Sequence, residues 1–529
     1  MPRRKKQQEP ATTARRLGAT LKSCRDSMRK DKGLSGEVDR LPMLTWIMFL
    51  KFLDDVERIR SDEATLKDER FLPVIEPPYR WRDWNRRNSE REDGGLHNPM
   101  TGDALIAFIN QDEAVRPDGK RGLGLFAYLR SLEGAHGVER SDVIASVFRG
   151  TTNRMQSGYI LRDVLDKVTE IHFSSSDEIH TLSRLYESLL MEMRDAAGDS
   201  GEFYTPRPLI RMIVKVIDPQ PGEIILDPAA GTGGFLVEAY EHLRPLAKTV
   251  DEYAKLQNDT LFGVEAKPLP YLLCQMNLVL HGLETPHIDP LNALRFRLGE
   301  IGDRDRVDVI MTNPPFGGEE EKGIQLNFPS DLQTSETAVL FLQLIMRRLR
   351  RKPRPGRAAV IVPDGTLFGD GVYARVKAAL LQDFNLHTVV RLPLGVFEPY
   401  TSIPTNVLFF ERGGPTTEIW YYEHPLPSDR KRYTKTKPLR FDEFERMLIW
   451  WTRREPSPQA WQVSARDVIT RSDDGQVLTC DLDVKNPRTT SGFDFTAPER
   501  DLAEAIADET ELTGLLERLS SELDTLSDA

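Results

Sequence analysis

Between Ile224 and Tyr422 the chain alternates short apolar, β-rich runs with stretches of helical periodicity. The runs read EIILD, LFGVE, VDVIMT, AAVIVP, LHTVVRL, TNVLFF and EIWYY. Continuous apolar runs suit strands buried on both faces, and the helices between them supply the cover. The pattern predicts an α/β fold with a doubly wound, mostly parallel sheet. The flanks differ. From about residue 14 to 60, Leu17, Leu21, Leu44, Ile47, Met48, Phe52 and Leu53 form helical stripes, which predict an N-terminal helical domain. Between Phe71 and about Gly150, Pro77, Pro78, Trp81, Trp84 and several glycines break the pattern into short helices and loops. A further helix is expected over 176–193, with Gly198 and Gly201 as its stop signals. Beyond about Phe495, Leu502, Ile506, Leu515, Leu516, Leu519, Leu523 and Leu526 predict a terminal helix. The expected division is a helical domain with a disordered basic arm (1–170), a catalytic domain (171–480) and a helical tail (481–529).

Composition narrows the class. With 529 residues, 39% hydrophobic and 29% charged, the chain has the balance of a folded protein of several domains. Cys24, Cys274 and Cys480 lie far apart in no C-x-x-C pair, against a disulfide scaffold, zinc ribbon or iron–sulfur site, and no metal is expected. The longest apolar run, near Met43–Leu50, is far short of the roughly 20 residues that span a bilayer. MPRRKKQQEP lacks the apolar centre of a secretory signal, so a reducing cytoplasm is the expected compartment. The net charge of −11 would ordinarily argue against nucleic acid. Its location removes that objection: residues 499–529 hold ten acidic and two basic residues, a balance of −8, which leaves only −3 on the rest.

The chemistry sits at two strand ends. After the first run, Asp227-Pro-Ala-Ala-Gly231-Thr232-Gly233-Gly234-Phe235 leads into a helix. Glycines there let backbone approach a ligand, with free N–H groups at the helix N-terminus. Tight packing alone would also explain a glycine turn. The spacing is not G-x-G-x-x-G, and G-x-x-x-x-G-K-[ST] is absent, which disfavours a dinucleotide dehydrogenase and a P-loop ATPase. The second run ends at Glu265, where a carboxylate can hold ribose hydroxyls. The second signal is Asn313-Pro314-Pro315-Phe316, directly after VDVIMT. A proline turn closing a strand is the plain alternative. At the carboxyl end of a parallel strand, however, Asn313 and the Pro314 carbonyl could accept both hydrogens of an exocyclic amine while Phe316 stacks on its ring.

Together these segments resemble the amino-group DNA methyltransferases that use S-adenosylmethionine. Gly201-Glu-Phe-Tyr-Thr-Pro-Arg-Pro208 is similar to the cofactor segment of modification subunits of type I restriction-modification systems. VIVPDGTLFGDG (360–371), VVRLPLGVF (389–397), TNVLFF (405–410) and KFLDDVERI (51–59) agree with that family, so the resemblance covers most of 15–440. It implies a Rossmann-like methyltransferase domain and methyl transfer to adenine N6 in double-stranded DNA, with the base flipped out. Glu202, Phe203, Tyr204, Thr205, Pro206 and Arg207 would follow the cofactor's methionine end. Asp227, Gly231, Thr232, Gly233 and Gly234 would lie under it, and Glu265 would take the ribose. Asn313, Pro314, Pro315 and Phe316 would hold the adenine. Many relatives place an Asp after the third strand, where DPLNAL offers Asn292 or Asp289.

The roughly 90 residues after TNVLFF show no long module for reading DNA sequence. The implied partners are therefore a specificity subunit, a second copy of the chain and a restriction (motor and nuclease) subunit, with the helices at both ends as docking surfaces. Two basic clusters are candidate phosphate contacts, or else solvated surface: Arg347, Arg348, Arg350, Arg351, Lys352, Arg354 and Arg357, and Arg430, Lys431, Arg432, Lys435, Lys437 and Arg440 near Tyr433. Two other functions compete. Glu265-Ala266-Lys267 matches half of a nuclease motif, which would suit a self-contained restriction enzyme, and a cofactor-binding scaffold without catalysis is the second.

Overall fold

The computed structural model describes residues 14–66, 68, 71–85, 100–134, 139–171, 205–398, 401, 403–434 and 436–488. The basic arm, the helix expected over 176–193 and the terminal leucine helix lie outside the described residues, as do Glu202, Phe203 and Tyr204.

All seven apolar runs form strands of one nine-stranded sheet, in the order β9-β8-β6-β7-β5-β4-β1-β2-β3. The strands are β1 (Ile225–Asp227), β2 (Leu261–Val264), β3 (His287–Asp289), β4 (Val309–Thr312), β5 (Arg357–Pro363), β6 (Phe384–Arg391), β7 (Thr405–Arg412), β8 (Glu418–Glu423) and β9 (Ala460–Ser464). β1 to β5 are parallel neighbours, with Asp227 opposite Gly263, Val264 opposite Asp289 and Thr312 opposite Val360. β7 runs antiparallel between β5 and β6, and β8 is again parallel to β6. The carboxyl ends of β1 to β6 and β8 therefore share one edge. The two strands absent from the sequence expectation, β3 and β9, are the sheet's edges. Edge strands pair on one side only and need no long apolar run. In β3 only Ile288 is buried.

Before the sheet, α1 (Ala14–Met28) and α2 (Glu37–Leu66) supply the expected helical stripes. Shorter helices and a small hairpin, Glu113–Val115 with Arg121–Leu123, complete this part around Trp46, Phe49, Phe108, Phe126 and Phe148. The loop after α1 is fixed by Asp31, whose carboxylate accepts from the backbone N–H groups of Gly33, Gln156 and Ser157. Leu272, Leu273 and Met276, on the helix that follows β2, belong to the same apolar core. The helical part is thus packed onto the sheet part through one shared helix. Among the described residues no helix is long and apolar enough to cross a membrane.

The helix before β1, α3 (Arg207–Ile217), buries Leu209, Ile210, Met212, Ile213, Val214 and Ile217 against the sheet. Its end is closed by Arg357, the first residue of β5. That guanidinium donates to the carbonyls of Ile217 (3.0 Å) and Asp218 (3.1 Å), and bidentately to Glu223 (2.7 and 2.8 Å). Such a fork satisfies helix-end carbonyls that have no partner within the helix. Burial pushes the Glu223 carboxyl up, but the Arg357 pair and the Gln220 N–H outweigh it and hold it below its ordinary value. Arg357→Met is expected to lower stability by about 3 kcal/mol, the cost of stranding a buried partner. Because the Glu223 value is depressed, the pair's contribution is full above about pH 4.3 and fades as pH falls through that lowered value. Urea unfolding of both proteins at pH 7 and near pH 3 should show the gap narrowing on acidification.

Candidate active site

The site forms at the carboxyl edge of the sheet, where β1 and β4 are neighbours. β1 delivers Asp227 and then a turn ending in α4 (Gly234–Leu243). Gly231 and Gly233 hold φ values of +55° and +77°, the left-handed region that side chains disfavour. Gly233 is restricted twice over, since a Cβ there would stand 2.8 Å from Cys274 Sγ. The turn is also fastened from below. Glu265 accepts from Gly231 N–H (2.9 Å) and Lys267 N–H (2.8 Å), and Asn277 donates to the Thr232 carbonyl (2.8 Å). From the other side Arg207 reaches the Gly234 carbonyl at 3.0 Å.

Asp227 is buried and accepts from Thr312 Oγ1 at 2.7 Å and from Ala229 N–H at 3.1 Å. Among the described residues no basic side chain forms an ion pair with it. Burial pushes its carboxyl up to about 7, and the nearby Glu265 adds to the rise. Glu265 is raised as well, chiefly by burial. Burial likewise holds the Cys274 thiol well above its ordinary value. Asp227 is therefore a buried carboxyl facing the turn that an incoming cationic group would stabilise in its charged form.

After β4 comes Asn313, whose Nδ2 donates to Thr205 Oγ1 at 3.0 Å. Its Oδ1 is buried and has no hydrogen-bond partner among the described residues. Pro314 is buried, and the half-buried Phe316 meets Phe397 edge to face, with centroids 5.4 Å apart. Thr205, Arg207, Asp227, Gly231, Thr232 and Asn313 line a single cavity, together with Gly234 and apolar neighbours such as Ile210 and Phe235.

Other expected site residues stand outside that lining. Pro206 caps the start of α3, and Gly233 faces Cys274 behind the turn. Glu265 accepts from two backbone N–H groups at the turn, which gives the carboxylate of its E-x-K triplet a task without nuclease chemistry. Asn292 caps a short 3-10 turn through Leu294 N–H (2.8 Å) and donates to Glu320 at 3.5 Å. Asp289 accepts from Leu291 N–H and pairs with Arg295. Thr312, Asn277, Cys274 and Phe397 hold the site together, yet no motif spacing singles them out.

The basic clusters separate. Arg347, Arg348, Arg350 and Arg357 sit where β4 and β5 begin, at the end of those strands away from Asn313. All four are engaged internally: with the Leu298 carbonyl, the Asp305 carbonyl, Asp308 and Glu223. Arg351, Lys352 and Arg354 are exposed. The second cluster follows the carboxyl end of β8, on the site's edge, with Tyr433 N–H bonded to the Leu394 carbonyl at 3.0 Å. Arg430 and Lys437 pair with Asp429, Arg432 with Glu398 and Arg440 with Asp442, while Lys435 lies outside the described residues.

The family model described as N-6 DNA Methylase matches residues 177–489. The chain belongs to that family. A second model, described as the HsdM N-terminal domain, matches residues 17–168 of this methylase. Its relatives include the type I restriction enzyme EcoEI methylase subunit of Escherichia coli, 44% identical over 481 residues that span 89% of this chain and 90% of the relative. The EcoKI methylase subunit of Escherichia coli K12 is 34% identical over 51% of this chain and 53% of its own. A crystal structure described as a type I modification subunit from Vibrio vulnificus YJ016 aligns with TM-score 0.84 and 63% identity, over 91% of this chain and 99% of the other. A chain solved for complex assembly of the type I R-M system aligns with TM-score 0.72 and 37% identity, over 98% and 99%. The expectation of an N6-adenine DNA methyltransferase of the type I kind holds, and so does the doubly wound methyltransferase fold with its N-terminal helices.

Asp227 gives a test of the site's electrostatics. A carboxyl raised in the folded state takes up a proton on folding, so its stabilising share is full below about pH 3.9 and is lost as pH rises through about 7. Asp227→Asn can keep the Thr312 and Ala229 bonds without titrating. Between pH 5 and 8 the unliganded wild type should lose about 2.5 kcal/mol that the variant retains. Parallel stability–pH curves in urea unfolding would contradict this.

Proposed function

We propose that this methylase transfers the methyl group of S-adenosylmethionine to the N6 amine of a flipped adenine in double-stranded DNA, using the cavity between the glycine turn and Asn313. The observation that carries this is the free, buried Oδ1 of Asn313 in the same cavity as Asp227 and the turn. A buried acceptor without a partner is costly unless a ligand donor completes it.

The residues present fit the cofactor. Asp227, buried without a basic partner among the described residues, would hold its cationic amino-acid end, and the Gly231–Gly234 turn would run beneath it. Thr205, Pro206 and Arg207 are proposed for the same end, as are Glu202, Phe203 and Tyr204, while Glu265 and Asn292 are proposed toward the ribose and adenine. Bound there, S-adenosylmethionine supplies a methyl group already activated on sulfur.

The chain's task is to align the amine and exclude water. Adenine N6 is a weak nucleophile because its lone pair is shared with the ring. Asn313 Oδ1 and the Pro314 carbonyl accept its two hydrogens, which favours a pyramidal amine and stabilises positive charge as it develops. Pro314 and Pro315 stiffen the loop that carries them. Phe316, backed by Phe397, offers the ring a face once it has left the duplex at a cost of a few kcal/mol.

Residues 1–170, 171–480 and 481–529 are the proposed helical, catalytic and tail parts of a cytoplasmic subunit. Between 424 and 488 the described residues hold a 3-10 turn, one α-helix of nine residues, β9 and a small hairpin, little with which to read a DNA sequence. A separate specificity subunit, a second copy of this chain and a restriction subunit are the proposed partners, in keeping with its type I relatives. Asn313→Ala, tested in the complex with its specificity subunit, should slow methylation at least about 100-fold, as loss of one acceptor at developing charge does. Its calorimetric Kd for S-adenosylmethionine should stay within about threefold of wild type, because the glycine turn is intact. Methylation near the wild-type rate would refute the role of Asn313.

A further inference from the structure

Neither the fold nor the proposed reaction uses the second basic cluster. Between Asp429 and Glu443 six basic residues stand against Asp429, Asp442 and Glu443, an excess of three positive charges. A charged loop needs no explanation in itself, since solvated surface is its ordinary fate. What sets this one apart is where it is held.

Tyr433, inside the cluster, is buried in the same apolar core as Val396 and Phe397, and Phe316 of the base loop packs against that core. Its backbone N–H donates to the Leu394 carbonyl at 3.0 Å, and its hydroxyl donates to Glu443. Gly395 completes the contact. At φ +81° it lies so close that a Cβ there would stand 2.2 Å from the Tyr433 carbonyl oxygen. Leu394 and Gly395 stand just before Phe397, the ring that backs Phe316. The basic loop is thus clamped to the segment that supports the base loop.

The cations of the loop divide by task. Arg430 lies 5.6 Å over the Tyr433 ring and pairs with Asp429 and Glu443, so it braces the loop. Lys437 pairs with Asp429 and Arg440 with Asp442. Lys431 is exposed and forms no ion pair among the described residues. Arg432 approaches Glu398 only to 3.8 Å, beyond hydrogen-bond range, with 62% of its side chain exposed. Two cations beside the Tyr433 anchor are therefore open to a polyanion.

We infer that Lys431 and Arg432 grip the phosphate backbone of the duplex beside the flipped adenine. This rests on the proposed site for that base, because an adenine can enter at Asn313 only if its own strand runs along this edge. The first basic cluster is placed too far away to serve. The Arg350 N–H bonds to the Val307 carbonyl, and Val307 lies six residues before Asn313 along an extended chain, about 20 Å at about 3.3 Å per residue. That span is over about two Debye lengths at physiological salt.

The test uses the complex with the specificity subunit and a duplex containing the site that the wild-type complex methylates. A Lys431→Gln, Arg432→Gln double variant removes both charges and keeps side chains that hydrogen-bond. Counterion release contributes about 0.9 per phosphate to the slope of log K against log salt, so the variant's slope should be flatter by about 1.8. Its affinity at about 0.1 M salt should be at least about tenfold lower. Its calorimetric Kd for S-adenosylmethionine should stay within about twofold of wild type. A triple variant, Arg351→Gln, Lys352→Gln and Arg354→Gln, loses more charge yet should keep the wild-type slope and affinity. An equal loss in the triple variant would trace the effect to total charge and overturn the inference. Weaker DNA binding at an unchanged slope would overturn it too, as would failure of the double variant to assemble with the specificity subunit, which would make the loop a protein-docking surface. If Asn313→Ala abolishes methylation while the double variant binds DNA as the wild type does, this inference alone fails. If Asn313→Ala methylates at the wild-type rate, the reading of the base loop fails and this inference with it.

Discussion

The hydrogen bond from Thr312 to the buried Asp227 joins the ends of two adjacent parallel strands, and the site depends on that junction. β1 carries the glycine turn and β4 carries Asn313, so the ligand-holding turn and the base loop share one support. Parallel pairing makes this possible: both strands deliver their chemistry to the same edge, where a doubly wound sheet leaves a crevice. The bond also gives the buried carboxylate one of its two partners among the described residues. A change that separated β1 from β4 by even one residue of register would leave Asp227 without Thr312 and Asn313 out of reach of the turn.

Around that junction the support is layered. The turn is tied below to Glu265 and Asn277 and above to Arg207, while Thr205 holds the base loop through Asn313. The helix bearing Cys274 and Asn277 also contributes Leu272, Leu273 and Met276 to the core of the N-terminal helices. A single helix therefore packs against the back of the turn and anchors the helical part, so the two parts are built around a common element and not merely strung together.

Much of this is legible in the sequence for a physical reason. Strands buried on both faces must be continuously apolar, so the inner strands stand out, and glycine at positive φ has few substitutes, so the turn does too. The edges β3 and β9 lack the first signal. The pairing of Thr205 with Asn313, of Asp227 with Thr312 and of Phe316 with Phe397 joins residues distant in the chain, and nothing local encodes it. Charge runs mislead for a related cause. A row of arginines reads as a phosphate surface, yet Arg347, Arg348, Arg350 and Arg357 are used to fasten loop carbonyls and buried carboxylates at the far end of the strands. Glu265 has a structural task that its position does not announce: each of its oxygens accepts from a backbone N–H at the turn, with acceptor capacity left over.

The thiol of Cys274 bears on chemical fidelity. It stands directly behind Gly233, near a place proposed to hold an alkylating agent, and sulfur anions are better nucleophiles toward such agents than an aromatic amine. Reactivity requires the thiolate, and burial beside Asp227 and Glu265 keeps this sulfur protonated. Burial first, and the two neighbouring carboxyls second, thus hold the sulfur behind the turn in its unreactive thiol form.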